Sequence, residues 1–329
     1  MDELQREPAA KDTPAARTSP LLSKTTMGLL LGAGLLALLY HLMGISVWAG
    51  TNPSLFRWLT IMWRSELNAA VDYSHGMLIP FVSLWLLWRK RKDLKEALAH
   101  PRPHAFGIVL WAGAILLQFV GLRSQIPHLG AISFIVALWA LVWSFAGFTA
   151  AKLTLFPLAF LFFAVPIEFL AQATFPLRLF GSIVATGILN GIGIETVRRG
   201  TAVLSTAGQG FALDVADPCS GIRSLMTLMA LTAGYAYVFK QGLAARCLLF
   251  ALSLPIAVIA NIARIVTIAL VALSFGTDIG MKLYHDYSGY LVFVIAVLLV
   301  MGADKLMDQS SRLLARWRHG ARPEPSPNP

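Results

Sequence analysis

Charge is scarce in this chain. Asp, Glu, Lys and Arg make up 13% of its 329 residues, about half the share found in a soluble domain. Hydrophobic residues make up 57%, and they fall in blocks close to the roughly 20 residues that cross a bilayer. A soluble chain of this size would break such blocks with polar helix faces, so an ordinary soluble domain is excluded. Cysteine is scarce too, with Cys219 and Cys247 the two in the chain. There is no CxxC and no Cys/His cluster, which excludes a metal site of the usual spacing and a disulfide scaffold. The acidic residues number 17 against 27 basic ones, a formal net charge of +10. Basic charge often points to nucleic acid. Here the Lys and Arg residues cluster between apolar blocks and in the tail, the pattern of loops kept on the cytoplasmic side, and no nucleic-acid partner is expected.

Eight apolar blocks are present. They cover 27–48, 75–88, 105–122, 131–148, 153–169, 221–239, 245–275 and 287–306. The second ends in Arg89-Lys90-Arg91-Lys92, with Lys95 and Arg102 following, so that end is cytoplasmic. The last is followed by Arg312, Arg316, Arg318 and Arg322, so it also ends inside. The stretch 175–194 holds Arg178, Asn190 and five Gly or Ser residues; by composition it suits a span or an interfacial helix. One crossing fits between Lys152 and the polar run 195–220, so 153–169 is assigned as the span and 175–194 as an amphipathic helix on the outer surface. The expected fold is all-α, a polytopic membrane bundle of about eight helices plus that outer helix, with both termini inside. Residues 1–24 read as a disordered cytoplasmic tail, 25–308 as the membrane domain and 309–329 as a basic, Pro-rich tail. A cleaved signal peptide at 27–48 is disfavoured, because a long polar lead precedes an apolar run longer than an h-region. The two cysteines then lie near opposite faces. A disulfide needs Cα atoms within about 7 Å, so they are expected not to pair.

Polar residues inside apolar blocks need a reason. Arg264 lies deep in the seventh block, in Asn261-Ile262-Ala263-Arg264. It cannot shed its proton, and Asn261 shares its helical face. The alternative is a snorkelling or structurally paired arginine; depth favours function. Cys219 sits in Asp217-Pro218-Cys219-Ser220-Gly221-Ile222-Arg223-Ser224, where an outer loop enters the sixth block. Pro218 suits a first helical turn. The free N–H groups and dipole there favour a thiolate and an oxyanion, and Arg223 follows one turn on. Alone, Cys219 reads as a packing cysteine. His285 lies in Tyr284-His285-Asp286-Tyr287 at the outer start of the eighth block, and His75 in Asp72-Tyr73-Ser74-His75-Gly76 at the outer end of the second. Either histidine suits a general base beside a cysteine nucleophile; the plain reading of the His75 cluster is a turn and cap before a helix.

These segments together resemble the exosortase/archaeosortase family of membrane cysteine transpeptidases. The matching pieces are Tyr73-Ser74-His75-Gly76, Trp88-Arg89-Lys90-Arg91, Phe156-Pro157-Leu158-Ala159, the element Pro218-Cys219-Ser220-Gly221-Ile222-Arg223, Asn261-Ile262-Ala263-Arg264 after Pro255, and His285 with Gly289. Their order and spacing agree over 74–306. The departure is Asp217-Pro218, where the family more usually has a Glu-Ala type pair. Proline fixes φ there, which bears on how the cysteine is presented.

The resemblance implies a catalytic set of Cys219, Arg264 and His285; Asn261, Arg223, Ser220 and His75 are the supporting candidates, and thiol acyl transfer needs no cofactor. It implies substrates that are exported proteins with a C-terminal signal of a short motif such as Pro-Glu-Pro, a transmembrane helix and a basic cluster. These would be cleaved at the outer face of a bacterial cytoplasmic membrane and passed to an acceptor whose identity stays open. In bacteria the family goes with exopolysaccharide production. The Arg322-Pro323-Glu324-Pro325 run in the tail has the order of such a signal reversed and reads as chance. The rival readings are a transporter, in which Arg264, Asn261 and Glu168 line a path, and a non-enzymatic scaffold of an envelope polysaccharide export system. The transporter reading predicts an internal repeat of spans, and no convincing one is visible.

Overall fold

The computed structural model describes residues 24–44, 53–64, 73–167, 174–206, 212–214, 222–276 and 288–320. Every one of the eight apolar blocks falls on a helix. They form α1 (Lys24–Leu42), α3 (Ile79–Arg89), α5 (Phe106–Ser124), α6 (Pro127–Ala146), α7 (Phe148–Phe160), α9 (Ile222–Phe239), α10 (Leu243–Phe275) and α11 (Ser288–Gly320). The stretch assigned as an outer amphipathic helix forms α8 (Phe175–Gly191). By length and composition α1, α5, α6 and α10 suffice to cross a membrane, and Phe148–Ala164 and Leu225–Phe239 are shorter apolar helices. Large apolar side chains stay exposed along them, among them Leu31, Leu35, Phe81 and Ile108 at 67–69%. In water such patches would aggregate; against lipid tails they need no cover.

Without a hydrophobic drive between helices in lipid, close packing comes from small residues. Helix α5 shows this at a seven-residue repeat. A Cβ on Gly107 would lie 2.1 Å from Ser144 Oγ, and one on Gly121 would meet Leu129 and Gly130 of α6. Between them, the carbonyl of Ala114 accepts from Ser133 Oγ at 2.8 Å. The α6–α7 junction depends on Gly147, whose φ is +85° and whose absent Cβ leaves room for the Arg102 carbonyl. Pro157 sits inside α7, and its carbonyl accepts from Ser83 Oγ of α3 at 2.7 Å.

Three features go beyond the expected eight blocks and outer helix. The outer loop 49–74 contains a short helix, α2 (Leu55–Trp63), with Leu55, Trp58 and Met62 buried at helical spacing. The basic stretch after α3 is itself helical, α4 (Arg91–Ala99). The polar run 195–220 carries an antiparallel three-stranded sheet of β1 (Thr196–Arg199), β2 (Ala202–Ser205) and β3 (Ala212–Asp214) in the order β1-β2-β3. Gly200 makes the β1–β2 turn at φ +62°. Asn190 ties the end of α8 to this sheet. Its Oδ1 accepts from the Thr196 amide and hydroxyl, both at 2.8 Å, and Val203 of β2 packs with Ala185, Leu189 and Ala269.

The register of the last three helices is set at their far end. Helices α9 and α10 form a tight hairpin at residues 240–242. Lys240, buried there, pairs with Asp304 at 2.5 Å and with Asp308, one turn apart on α11. Asp304 also accepts from Tyr235 Oη at 2.9 Å. Burial opposes the charge, but hydrogen bonds to Asp304 and Asp308 outweigh it and hold Lys240 above the ordinary lysine range. A raised lysine pKa contributes stability that is complete below its unfolded value of about 10.4 and is lost as pH rises through the folded one. Lys240→Met is therefore expected to cost about 2–3 kcal/mol near neutral pH, because it strands a buried carboxylate. The difference from wild type should shrink as pH rises above the unfolded lysine value of about 10.4 and through the higher folded one. Thermal midpoints in detergent across that range check both.

Candidate functional site

Arg264 lies inside α10 and is 6% exposed, with Asn261 one turn earlier at 8%. The helix around them is apolar, with Ile256, Ala257, Ala260, Ile265 and Ile268 also buried. A permanent cation in such a setting must be met by polar groups. Helix α8 closes over this point. Its buried face is Gly181, Ser182, Ala185 and Leu189, and a Cβ on Gly181 would stand 3.9 Å from Asn261 Nδ2 and 3.8 Å from Ile262. The expected amphipathic helix thus brings its small face against the helix that carries the arginine.

The hairpin fixes the height of Arg264. Ile222, the first residue of α9, is seventeen residues from the turn, and Arg264 is twenty-one from it on α10. At 1.5 Å per residue these are about 26 and 32 Å, so Arg264 stands about one turn beyond the start of α9. On α11, Asp304 is pinned beside Tyr235 and Lys240. Sixteen residues separate it from Ser288, the start of that helix, which is about 24 Å in the same direction. Arg264 and the first turns of α9 and α11 therefore gather at one end of the three-helix unit. The free N–H groups of a first helical turn carry partial positive charge. With Arg264 at a similar height, this end has the donors that would suit a thiolate or the oxyanion of an acyl intermediate.

Of the expected catalytic set, Arg264 is described in full. Cys219, Ser220 and His285 lie outside the described residues, three, two and three positions before α9 and α11 begin. Arg223 is in the first turn of α9. Cys247, near the start of α10, is a free and exposed thiol. Among the described residues no group of His, Cys, Asp and Glu could hold a metal ion.

His75 sits in a 3-10 turn, Ser74–Met77, directly before α3. The turn expected there is present, and it is clamped from the side. Tyr73 is 1% exposed and its hydroxyl donates to the carbonyl of Ile167 at 3.0 Å. Trp63 Nε1 donates to the carbonyl of Ala164 at 2.8 Å, and the ring lies where a Cβ on Gly76 would be, 2.3 Å away. Both ring nitrogens of His75 are buried. This clamp was not visible in the sequence, where Trp63 belongs to a loop and its partner is about a hundred residues on.

A family model described as transmembrane exosortase matches residues 58–302. The chain belongs to that family. The match runs from Trp58 in α2 to Gly302 in α11, and it covers Cys219, Arg264, His285 and all the supporting positions. Membership makes this exosortase a multi-pass membrane protein of a family that processes sorting signals. Helix α1 lies before the matched region. No curated protein and no solved structure matches the chain.

Gly76→Ala tests the clamp in this exosortase. The new methyl must displace a bonded indole, an overpacking cost of about 2 kcal/mol, and the thermal midpoint in detergent should fall. Gly113→Ala, where nothing lies within 4 Å of the added Cβ, should not lower it.

Proposed function

We propose that this exosortase is a cysteine transpeptidase that cleaves the C-terminal sorting signal of exported proteins through a thioester at Cys219. The observation that carries the reading is the height of buried Arg264, about one turn beyond the first residue of α9, which Cys219 precedes by three positions. The thiolate attacks the scissile carbonyl. Arg264 and the N–H groups at the start of α9 hold the oxyanion, and Asn261 orients the guanidinium. As the C–N bond breaks, the His285 imidazolium gives its proton to the leaving amine. An acceptor amine or water then attacks the thioester and frees the thiolate. No cofactor takes part.

The basic residues of α4 and of the end of α11 support a cytoplasmic position for those ends. The hairpin at Lys240 then faces the cytoplasm as well, and the Arg264 end faces out. Substrates carry a short motif, a transmembrane helix and a basic cluster in that order, so the motif meets the catalytic end from the outer leaflet.

Cys219→Ala is expected to abolish processing of a tagged substrate in cells while the protein remains in the membrane, as followed by gel mobility and the new C-terminal mass. Arg264→Lys loses the planar fork and should slow processing by about 10²–10³-fold. Unchanged processing in Cys219→Ala would remove the cysteine mechanism and leave the scaffold reading. His285→Gln should match the cysteine variant and His75→Gln should not; the reverse result would move the base to the clamped turn.

A further inference from the structure

A groove of about 800 Å³ runs between α1 and α3, with α6 and α7 as its floor. Three of its walls give it the same length. They run from Met77 to Leu87, from Ala131 to Val142 and from Thr154 to Val165, in each case about 15 Å of helix. Leu30, Met77, Phe81 and Leu84 form its lip at 48–67% exposure, so the groove opens sideways.

The walls leave an occupant nothing polar to bind. Their polar side chains are Thr60, Trp63, Ser83 and Thr154, and each donates to a backbone carbonyl of the protein. The acceptors are Arg57 at 2.8 Å, Ala164 at 2.8 Å, Pro157 at 2.7 Å and Ala150 at 3.0 Å. A polar occupant would lose its own hydrogen bonds there, so the groove is suited to hydrocarbon.

One end of the groove is basic. Leu29, Leu87 and Leu94 line that end. Lys24, Lys90, Arg91, Lys92, Lys95 and Lys152 flank it on α1, α4, α7 and the α3–α4 junction, against Asp93 and Glu96. Lys90 is engaged with Asp93 at 3.5 Å, and the Arg91 guanidinium lies over the Trp88 ring at 3.9 Å. The net positive charge remains, at the end of the groove where it would meet the phosphate of a lipid whose chain lies in the groove.

We propose that the groove between α1 and α3 seats the acyl chain of an anionic phospholipid, with its phosphate on the basic residues of α4. The seated chain packs on Trp63 and so braces the ring beneath Gly76.

The test is native mass spectrometry of the full chain, purified in mild detergent and exchanged into micelles with phosphatidylglycerol or phosphatidylcholine. Wild type should retain one phosphatidylglycerol, with about tenfold preference over phosphatidylcholine. The filling pair Ala33→Phe and Leu84→Trp should lower retention about tenfold at unchanged helix content. The triple change Arg91→Gln, Lys92→Gln, Lys95→Gln should keep a lipid and lose the preference. Lipid retained equally by the filled variant would move the seat elsewhere and overturn the proposal, as would wild type retaining no lipid. Protection of residues 1–23 from protease in wild type and their exposure in the filled variant would assign the groove to the chain's own amino-terminal segment instead.

Discussion

One buried ammonium sets the register of the half that carries Arg264. Lys240 stands at the turn between α9 and α10 and holds two carboxylates of α11. A buried ion pair adds little net stability against an apolar substitute, but it tolerates few registers. Sliding α11 by one turn in either direction would leave at most one of the two carboxylates on Lys240. Because helices rise by a fixed 1.5 Å per residue, a register fixed at one end is carried to the other. The start of α11, the start of α9 and Arg264 are thereby levelled without direct contact between the pinning residues and the site.

The other half of the molecule is held by different means. Helices α5 and α6 meet along glycine and alanine, where backbones approach closely and hydroxyls reach carbonyls across the interface. Helix α7 joins the halves, bonding α3 through Pro157 on one side and stacking Phe156 on Tyr237 of α9 at 4.0 Å on the other. The His75 turn hangs on the segment that follows the same helix, through Trp63 to Ala164 and Tyr73 to Ile167. Small residues and satisfied hydroxyls suit an interior where lipid competes equally for every apolar surface.

The helical plan was legible in the sequence because spans announce themselves as apolar blocks, and each block became a helix. Arg264 and Asn261 stood out for the complementary reason: a polar group in hydrocarbon is costly enough to be conspicuous. The register latch was not legible. Lys240 and its partners are 64 and 68 residues apart, and each sits beside other charges that read as ordinary loop and tail. The sheet was missed because its strands run three or four residues, and Arg198-Arg199 breaks the alternation that marks a half-buried strand. Helix α2 was missed because nine residues are too few for a block, although Leu55, Trp58 and Met62 do repeat at helical spacing. The roles proposed for Cys219 and His285 rest on the family resemblance, because neither pattern nor packing supplies them.

Convergence of those two residues at one end of the bundle is best measured by crosslinking. In a protein carrying His285→Cys and Cys247→Ala, mild oxidation should join residues 219 and 285, since a disulfide forms when Cα atoms come within about 7 Å. Peptide mapping would find the two segments linked, while a control with Cys247→Ala and Leu306→Cys, at the Lys240 end, would stay unlinked. Failure of the 219–285 pair to link, or equal linking in the control, would contradict a shared catalytic end.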